Sequence, residues 1–174
     1  MEDHVLKAIM ARRSVRKYTD TPIAKEDLDR VLKAGLLAPS GKDTRALELI
    51  VVQDRALMKE LVNARANKPA FVGTAGAVIV VLTDSSRQDT WIEDASIAAA
   101  YMHLEADSIG LGSCWIQIHL RSTESGQSSE DFLREKLGFG PDLKPVCLLV
   151  LGNIEEHPEP RGEDRLLWDR VSYR

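Results

Sequence analysis

Cysteine is scarce: Cys114 and Cys147 are the only two in 174 residues, too few and too far apart for a disulfide framework. A reducing compartment is therefore expected, the cytoplasm being the natural one. Long apolar runs are missing too. Stretches such as Ala77 to Leu82 are far shorter than a bilayer requires, so a soluble protein is expected. The opening MEDHVLKAIMARRSVRKY starts acidic and holds no unbroken apolar stretch, so it does not read as a secretory signal. Excess positive charge is also absent. A formal net charge of −4 gives no general attraction to nucleic acid or anionic membrane. Any basic cluster must then serve a local purpose. With no repeat, low-complexity tract or dividing linker, residues 1–174 are expected to form one domain. What is present is ordinary globular material, 44% hydrophobic and 29% charged, enough to bury a core without staples.

Hydrophobic periodicity predicts the elements. Val5, Ile9 and Met10 mark a helix over residues 3–12, and Leu28, Val31, Leu32 and Leu36 mark a second over 25–37. Pro39 disfavours helical geometry in the residue before it, which stops the second helix near Ala38. LELIVV, 47–52, and AVIVVL, 77–82, read as strands, with a polar helix over 55–64 between them. From 91 to 109 a helix carries Ala95, Ile97, Ala99, Tyr101, Met102 and Leu104, apolar on nearly every face. Such a helix is buried all round, in the core or in a subunit contact. After the Gly110-Leu111-Gly112 turn a strand is expected over 113–118. Ser128, three residues before Asp131, predicts a capped helix to Leu137, and a last strand covers 146–151. The tail from 152 to 174 is polar, then apolar at Leu166, Leu167 and Trp168, and needs a surface to lie on. Four strands among helices of unequal length suggest an α+β or α/β layered fold. No glycine-rich strand-to-helix turn supports a dinucleotide-binding Rossmann unit.

Arg12, Arg13, Ser14, Arg16 and Lys17 place four cations and a hydroxyl within six residues. Guanidinium forks pair with phosphate oxygens and a serine adds a hydrogen bond, so the cluster suits a phosphate monoester. Cations at a helix C-terminus also complement its dipole with no ligand present, and the residues alone leave both readings open. GLLAPSGKDT, 35–44, is not a phosphate loop. Its glycines are one residue too far apart, Asp43 replaces the magnesium-binding hydroxyl, and it follows a helix. It is a Pro-Ser-Gly loop that exposes hydroxyl and backbone N–H groups. Cys114 and His119 stand five apart in a strand, hence on opposite faces, so they do not form a nucleophilic pair. His103 and Asp107 share a helical face but lack a third metal ligand. Neither a Ser-His-Asp order nor paired carboxylates indicate a side-chain catalyst.

Taken in order, four segments resemble the nitroreductase family. AIMARRSVRKY is similar to its Arg-x-Ser-x-Arg/Lys signature, which falls on Arg12, Ser14 and Arg16, with Arg13 as a helper. LLAPSGKDTRALELIVV resembles its Ala-Pro-Ser loop, with Pro39, Ser40 and Arg45 matching. GLGSCWI, 110–116, is similar to its Gly-Leu-Gly-Ser turn and strand, and Pro160-Arg161 with LLWDRV, 166–171, resembles its C-terminal arm. Three departures stand in the loop: Asp43 where Asn is usual, Ala46 where Pro is usual and Leu47 where Trp is usual. The residue that meets the flavin's pyrimidine end in that family has no evident counterpart.

The resemblance implies an α+β fold, a three-layer α-β-α sandwich with a central mixed sheet and a C-terminal arm reaching to the partner subunit. It implies a homodimer with two FMN sites, each built from both subunits. It also implies ping-pong electron transfer from NADH or NADPH through FMN to a nitroaromatic, quinone or similar small acceptor. Chemistry then belongs to the flavin, and no side chain is expected as an acid–base catalyst. On this resemblance Arg12, Arg13 and Ser14 hold the phosphate, joined by Arg161 or Arg165 from the tail, and Arg16 stabilises the reduced ring at its N1–O2 edge. Pro39, Ser40, Asp43 and Arg45 form a loop that meets the ring from the partner subunit, while the backbone of Trp115, Ile116 and Gln117 faces it from the other side. The altered loop leaves a second expectation, a flavin-binding or regulatory module with little turnover. A third is a specialised family member performing reductive dehalogenation or flavin modification. None of the three calls for a metal, nucleic acid or a membrane.

Overall fold

Six consecutive aliphatic residues, Ala77 to Leu82, lie fully buried at the centre of the protein. They belong to β2 (Ala77–Asp84), flanked by β1 (Leu47–Val52) on one side and β4 (Leu143–Asn153) on the other, with β3 (Leu111–Gln117) beyond β4. The computed structural model describes residues 4–174, so the expected helix start at Asp3 lies outside the described residues. Side chains alternate across the strands. Ile79, Val81, Leu149 and Leu151 pack with residues of α2 (Lys25–Leu36) and α4 (Trp91–Ser108). Val78, Val80, Leu148 and Val150 pack on the opposite face against residues of α3 (Arg55–Leu61) and α5 (Ser129–Leu137). The result is the expected three-layer α-β-α sandwich of α+β class. Each such aliphatic side chain stabilises the core by roughly 1.5–3 kcal/mol.

One expectation about the sheet needs refining. All three ladders are antiparallel, and among the described residues parallel pairing is confined to a single bridge between Ser14 and Ser113. β4 also begins three residues before the predicted position. Pro145 faces Leu82 where the register shifts; proline cannot donate to a ladder, and the bulge absorbs it. β3 starts at Leu111, two residues earlier than expected. A Cβ on Gly112 would come within 2.9 Å of the Val15 side chain, so glycine there lets the chain after the first helix lie directly on β3. The α5 cap forms as read, with the Ser128 hydroxyl accepting from Asp131 N–H at 2.9 Å.

α4 is covered on one side only. Ala95, Ala99, Met102 and Ala106 are buried, whereas Ile97 and Tyr101 are 36% and 44% exposed. α1 (His4–Ala11) lies alongside α4 and has no buried residue; Val5 and Ile9 are exposed, as are Leu166, Leu167 and Trp168 of the tail. Burial of α4 all round is therefore not achieved within one copy of the chain. Among the described residues, no helix is long and apolar enough to cross a membrane.

Candidate functional site

α1 ends at Ala11, and the basic run then leaves the helix for the edge of the sheet, where Val15 N–H donates to the Ser113 carbonyl at 2.8 Å. This carries Arg12 to the C-terminal half of α4. An Arg12 guanidinium nitrogen lies 2.8 Å from His103 Nε2, and His103 Nδ1 contacts the Ser113 hydroxyl. Guanidinium only donates, so Nε2 must be the bare acceptor and Nδ1 must carry the proton. Burial, and next the Arg12 charge, push the imidazole down to about 4. Arg12 is thus gripped by a neutral group that leaves its charge uncompensated. Arg13 donates its backbone N–H to Asp107 Oδ1 at 3.3 Å and its guanidinium to the Glu159 carbonyl. Asp107 also binds His157 Nε2 at 2.9 Å, and that hydrogen bond raises the His157 pKa. Ser14 stays exposed beside these groups. Arg12 adjoins the end of α1, its N–H donating to the Ala8 carbonyl at 3.0 Å, while its guanidinium turns to His103.

Arg16 lies between two cavities. One, of about 390 Å³, is lined by Ser14 to Thr19 together with Glu155, Glu156 and Pro158. Its two glutamates have the wrong sign for a phosphate. The other, of about 190 Å³, is lined by Arg16, Arg65, Asn67, Pro69, Phe71 and Cys114 to Gln117, with no carboxylate. Among the described residues Arg16 has no ion-pair partner. The Tyr18 hydroxyl donates to the Val15 carbonyl at 2.7 Å, and burial raises its pKa, so it serves as a fixed strut for the turn that carries Arg16. Arg65 donates to the Gln117 carbonyl at 2.6 Å, and Trp115 Nε1 donates to Gln117 Oε1 at 3.0 Å. These bonds order the backbone of Trp115, Ile116 and Gln117 along the cavity. Cys114 is a buried free thiol whose pKa burial raises, and His119 packs edge-on against Trp91 at 4.9 Å.

The Pro-Ser-Gly loop sits at the other end of α4. Gly41 N–H donates to both carboxylate oxygens of Asp94, at 3.0 and 3.2 Å. A Cβ on Gly41 would strike Thr90 and come within 3.0 Å of Gln88 Oε1, so the loop is pressed onto the helix start. Arg45 N–H donates to Ser40 Oγ at 3.1 Å. The Arg45 guanidinium clasps Asp43 at 2.8 and 3.2 Å, and this contact lowers the Asp43 pKa. Lys42, Asp43 and Arg45 have φ of 53°, 52° and 47°. Left-handed backbone at three non-glycine positions costs energy and concentrates at functional sites. Pro39, exposed, leads from α2 into this loop. Asp94 and His103 stand about 14 Å apart along the helix axis. Within one chain, the loop and the Arg12–Ser14 cluster therefore approach different parts of α4.

The tail distinguishes its two arginines. Arg161 N–H donates to the Met10 carbonyl at 3.4 Å, which brings Arg161 beside the end of α1. Arg165 lies further on, in an exposed 3-10 turn (Glu163–Arg165). Sequence reasoning missed Tyr18, Arg65, Asn67, Asp94 and His157, and it weighed His103 only as a metal ligand. A usable signal existed for Asn67, in the turn-like Asn67-Lys68-Pro69, where Lys68 has φ of 44°.

A nitroreductase family model matches residues 9–70 and 59–153. A protein of Archaeoglobus fulgidus, provisionally named NADH dehydrogenase/NAD(P)H nitroreductase, is 32% identical over 174 residues, covering 97% of each chain. A Bacillus subtilis protein named FMN reductase is 27% identical, across 92% of this chain and 68% of that one. Among solved structures, an FMN-dependent nitroreductase from Clostridium difficile R20291 matches with a TM-score of 0.93 and 37% identity, covering 97% of this chain and 98% of that one.

Proposed function

The chain belongs to the nitroreductase family, and we propose that residues 1–174 form one FMN-binding domain that passes electrons from NADH or NADPH to a small acceptor such as a nitroaromatic or quinone. The observation that carries this reading is a set of cations whose charge is left uncompensated: Arg12 on neutral His103, Arg13 on a backbone carbonyl, and Arg16 without an ion-pair partner among the described residues. That donor set fits a phosphate monoester of roughly −1.5 to −2 charge. The carboxylate-free cavity beside Arg16 fits a polar ring edge. When bound, FMN supplies the electron-transfer chemistry of both half-reactions. The chain supplies binding and electrostatics. Arg12, Arg13 and Ser14 hold the phosphate, with Arg161 the nearer tail residue and Arg165 the further one. Arg16, Arg65 and Asn67 hold the polar ring edge over the backbone of Trp115, Ile116 and Gln117, and Asn67 takes the contact for which the sequence shows no counterpart. Pro39, Ser40, Asp43 and Arg45 serve the flavin of the partner subunit.

The same reading includes a two-fold homodimer. Apolar side chains left exposed on α1, α4 and the tail (Val5, Ile9, Tyr101, Leu167 and Trp168) need a partner surface. The free, buried thiols of Cys114 and Cys147 agree with a cytoplasmic setting. Purified protein is expected to show flavin absorption that bleaches with NADH or NADPH under anaerobic conditions and returns with a quinone or nitroaromatic. Flavin that binds but is not reduced by either nucleotide would indicate the regulatory module instead, and absence of flavin binding would refute both. Sedimentation at high dilution tests the dimer, which a folded, FMN-loaded monomer would contradict.

A further inference from the structure

We propose that His103 is a positioning residue that presents Arg12 to the flavin phosphate, holding the guanidinium through a neutral acceptor so that its positive charge stays available. The proposal rests on the reading of Arg12 as a phosphate anchor. His103 is 8% exposed and joins three elements: Arg12 at the end of α1, its own helix α4, and Ser113 at the start of β3. Its two ring nitrogens are assigned by their neighbours. Arg12 can only donate, so Nε2 accepts at 2.8 Å, and the Nδ1 proton goes to the Ser113 hydroxyl. A guanidinium carries five N–H donors, so a single contact orients it and leaves donors for an anion. A carboxylate in the same place would orient Arg12 equally well but would cancel its charge. Asp107, one turn further along α4, is instead engaged by Arg13 N–H and His157. The side of α4 that faces Arg12 is thus arranged to fix the guanidinium without neutralising it.

FMN and riboflavin affinities, measured by fluorescence quenching for the parent, R12A, H103L and H103Q, test the proposal. Riboflavin has the ring without the phosphate. H103L is expected to weaken FMN about tenfold and riboflavin less than about twofold, as for loss of one charge-assisted contact. In H103Q the amide oxygen stands in for Nε2, and both affinities should stay within about threefold of the parent. Equal losses for FMN and riboflavin in H103L, or no loss for either, would overturn the role of His103. If R12A itself leaves the FMN-to-riboflavin ratio unchanged, the phosphate assignment fails instead. A second measurement does not depend on whether the variants fold. The ¹⁵N NMR signals of the His103 ring in the parent protein should show a neutral Nδ1–H tautomer at pH 7; an Nε2–H tautomer or an imidazolium there cannot accept from Arg12 and overturns the proposal.

Discussion

Two charged segments approach α4, and their charges are handled in opposite ways. Towards its C-terminal half, Arg12 rests on neutral His103 and Arg13 on the Glu159 carbonyl, so positive charge accumulates. Towards its N-terminus, Arg45 closes on Asp43 in an exposed two-point pair, and the buried Asp94 is occupied by Gly41 N–H and Gln88. At the exposed surface of the loop Asp43 and Arg45 cancel, while the Asp94 carboxylate is held beneath it by neutral donors, and what the loop presents is shape: a turn bent by three left-handed residues and clamped to the helix. The contrast separates two tasks in the proposed site. On the proposed reading, one segment is suited to a dianion and the other to an uncharged ring.

The largest effect expected from disturbing this contrast is acid sensitivity at the Arg12 end. The folded-state pKa of His103, about 4, lies below its ordinary value of 6.5. A group depressed in this way contributes stability above about pH 6.5, and the contribution is lost as pH falls toward about 4. The interval corresponds to a loss on the order of 3 kcal/mol. Denaturant unfolding at pH 7 and pH 4.5 should show a much larger drop for the parent than for His103→Gln. Equal drops would mean that His103 is not the responsible group. Next in size is the phosphate contact itself. Arg12→Ala should lower FMN affinity by about 1.5–3 kcal/mol and leave riboflavin unchanged. Arg45→Ala, at the neutral end, should shift the two ligands equally, and a phosphate-selective loss in that variant would erase the distinction between the two segments.

A smaller effect concerns the tail beside the cationic cluster. His157 Nε2 donates a hydrogen bond to Asp107 Oδ1, and this contact raises the His157 pKa. The stability it contributes is fully present below its ordinary value near 6.5 and is lost as pH rises through the raised pKa. The ring is partly exposed, so the change is modest. Amide exchange in residues 157–165 should quicken as pH rises beyond the intrinsic base-catalysed increase, and Asp107→Asn should remove that excess. Exchange that follows the intrinsic pH law alone would show that the contact does not hold the tail.

How much of this was legible in the sequence depends on how local each signal is. LELIVV, AVIVVL and the Ser128 cap carry their structure in adjacent residues, and each forms where it was read. The first residues of β4 were missed because Pro145 argues against a strand until the bulge opposite it is known. The expected mixed sheet came from the resemblance and not from any strand's own pattern, and the ladders themselves are antiparallel. In the site, Arg12 to Arg16 and Ser40 were legible as short motifs. His103 and Arg65 were not, since their partners lie 91 and 52 residues away in the chain. An imidazole four residues before a carboxylate reads as a metal pair from sequence. Only the fold shows that each of the two serves a different arginine.

The smallest effect is expected where charges cancel, and it is the most discriminating. Asp43 departs from the family's usual Asn, and an isolated carboxylate near a flavin would oppose the negative charge of the reduced ring. Arg45 lies within hydrogen-bonding distance of it, so the two act on the ring as a dipole, whose field falls faster with distance than that of a charge. Both groups are exposed, and solvent and salt weaken what remains. Removing one partner removes the cancellation. Asp43→Asn leaves Arg45 alone and should raise the potential of the bound flavin, whereas Arg45→Ala leaves Asp43 alone and should lower it, each by some tens of millivolts at most on the order expected for screened surface charges. The double variant restores neutrality and should return to within about 10 mV of the parent, the scale of an exposed ion pair. Potentiometric titration of the four proteins against a reference dye gives the answer. Singles that shift in the same direction, or a double variant displaced as far as either single, would show that the loop acts on the flavin through its conformation and not through its charge.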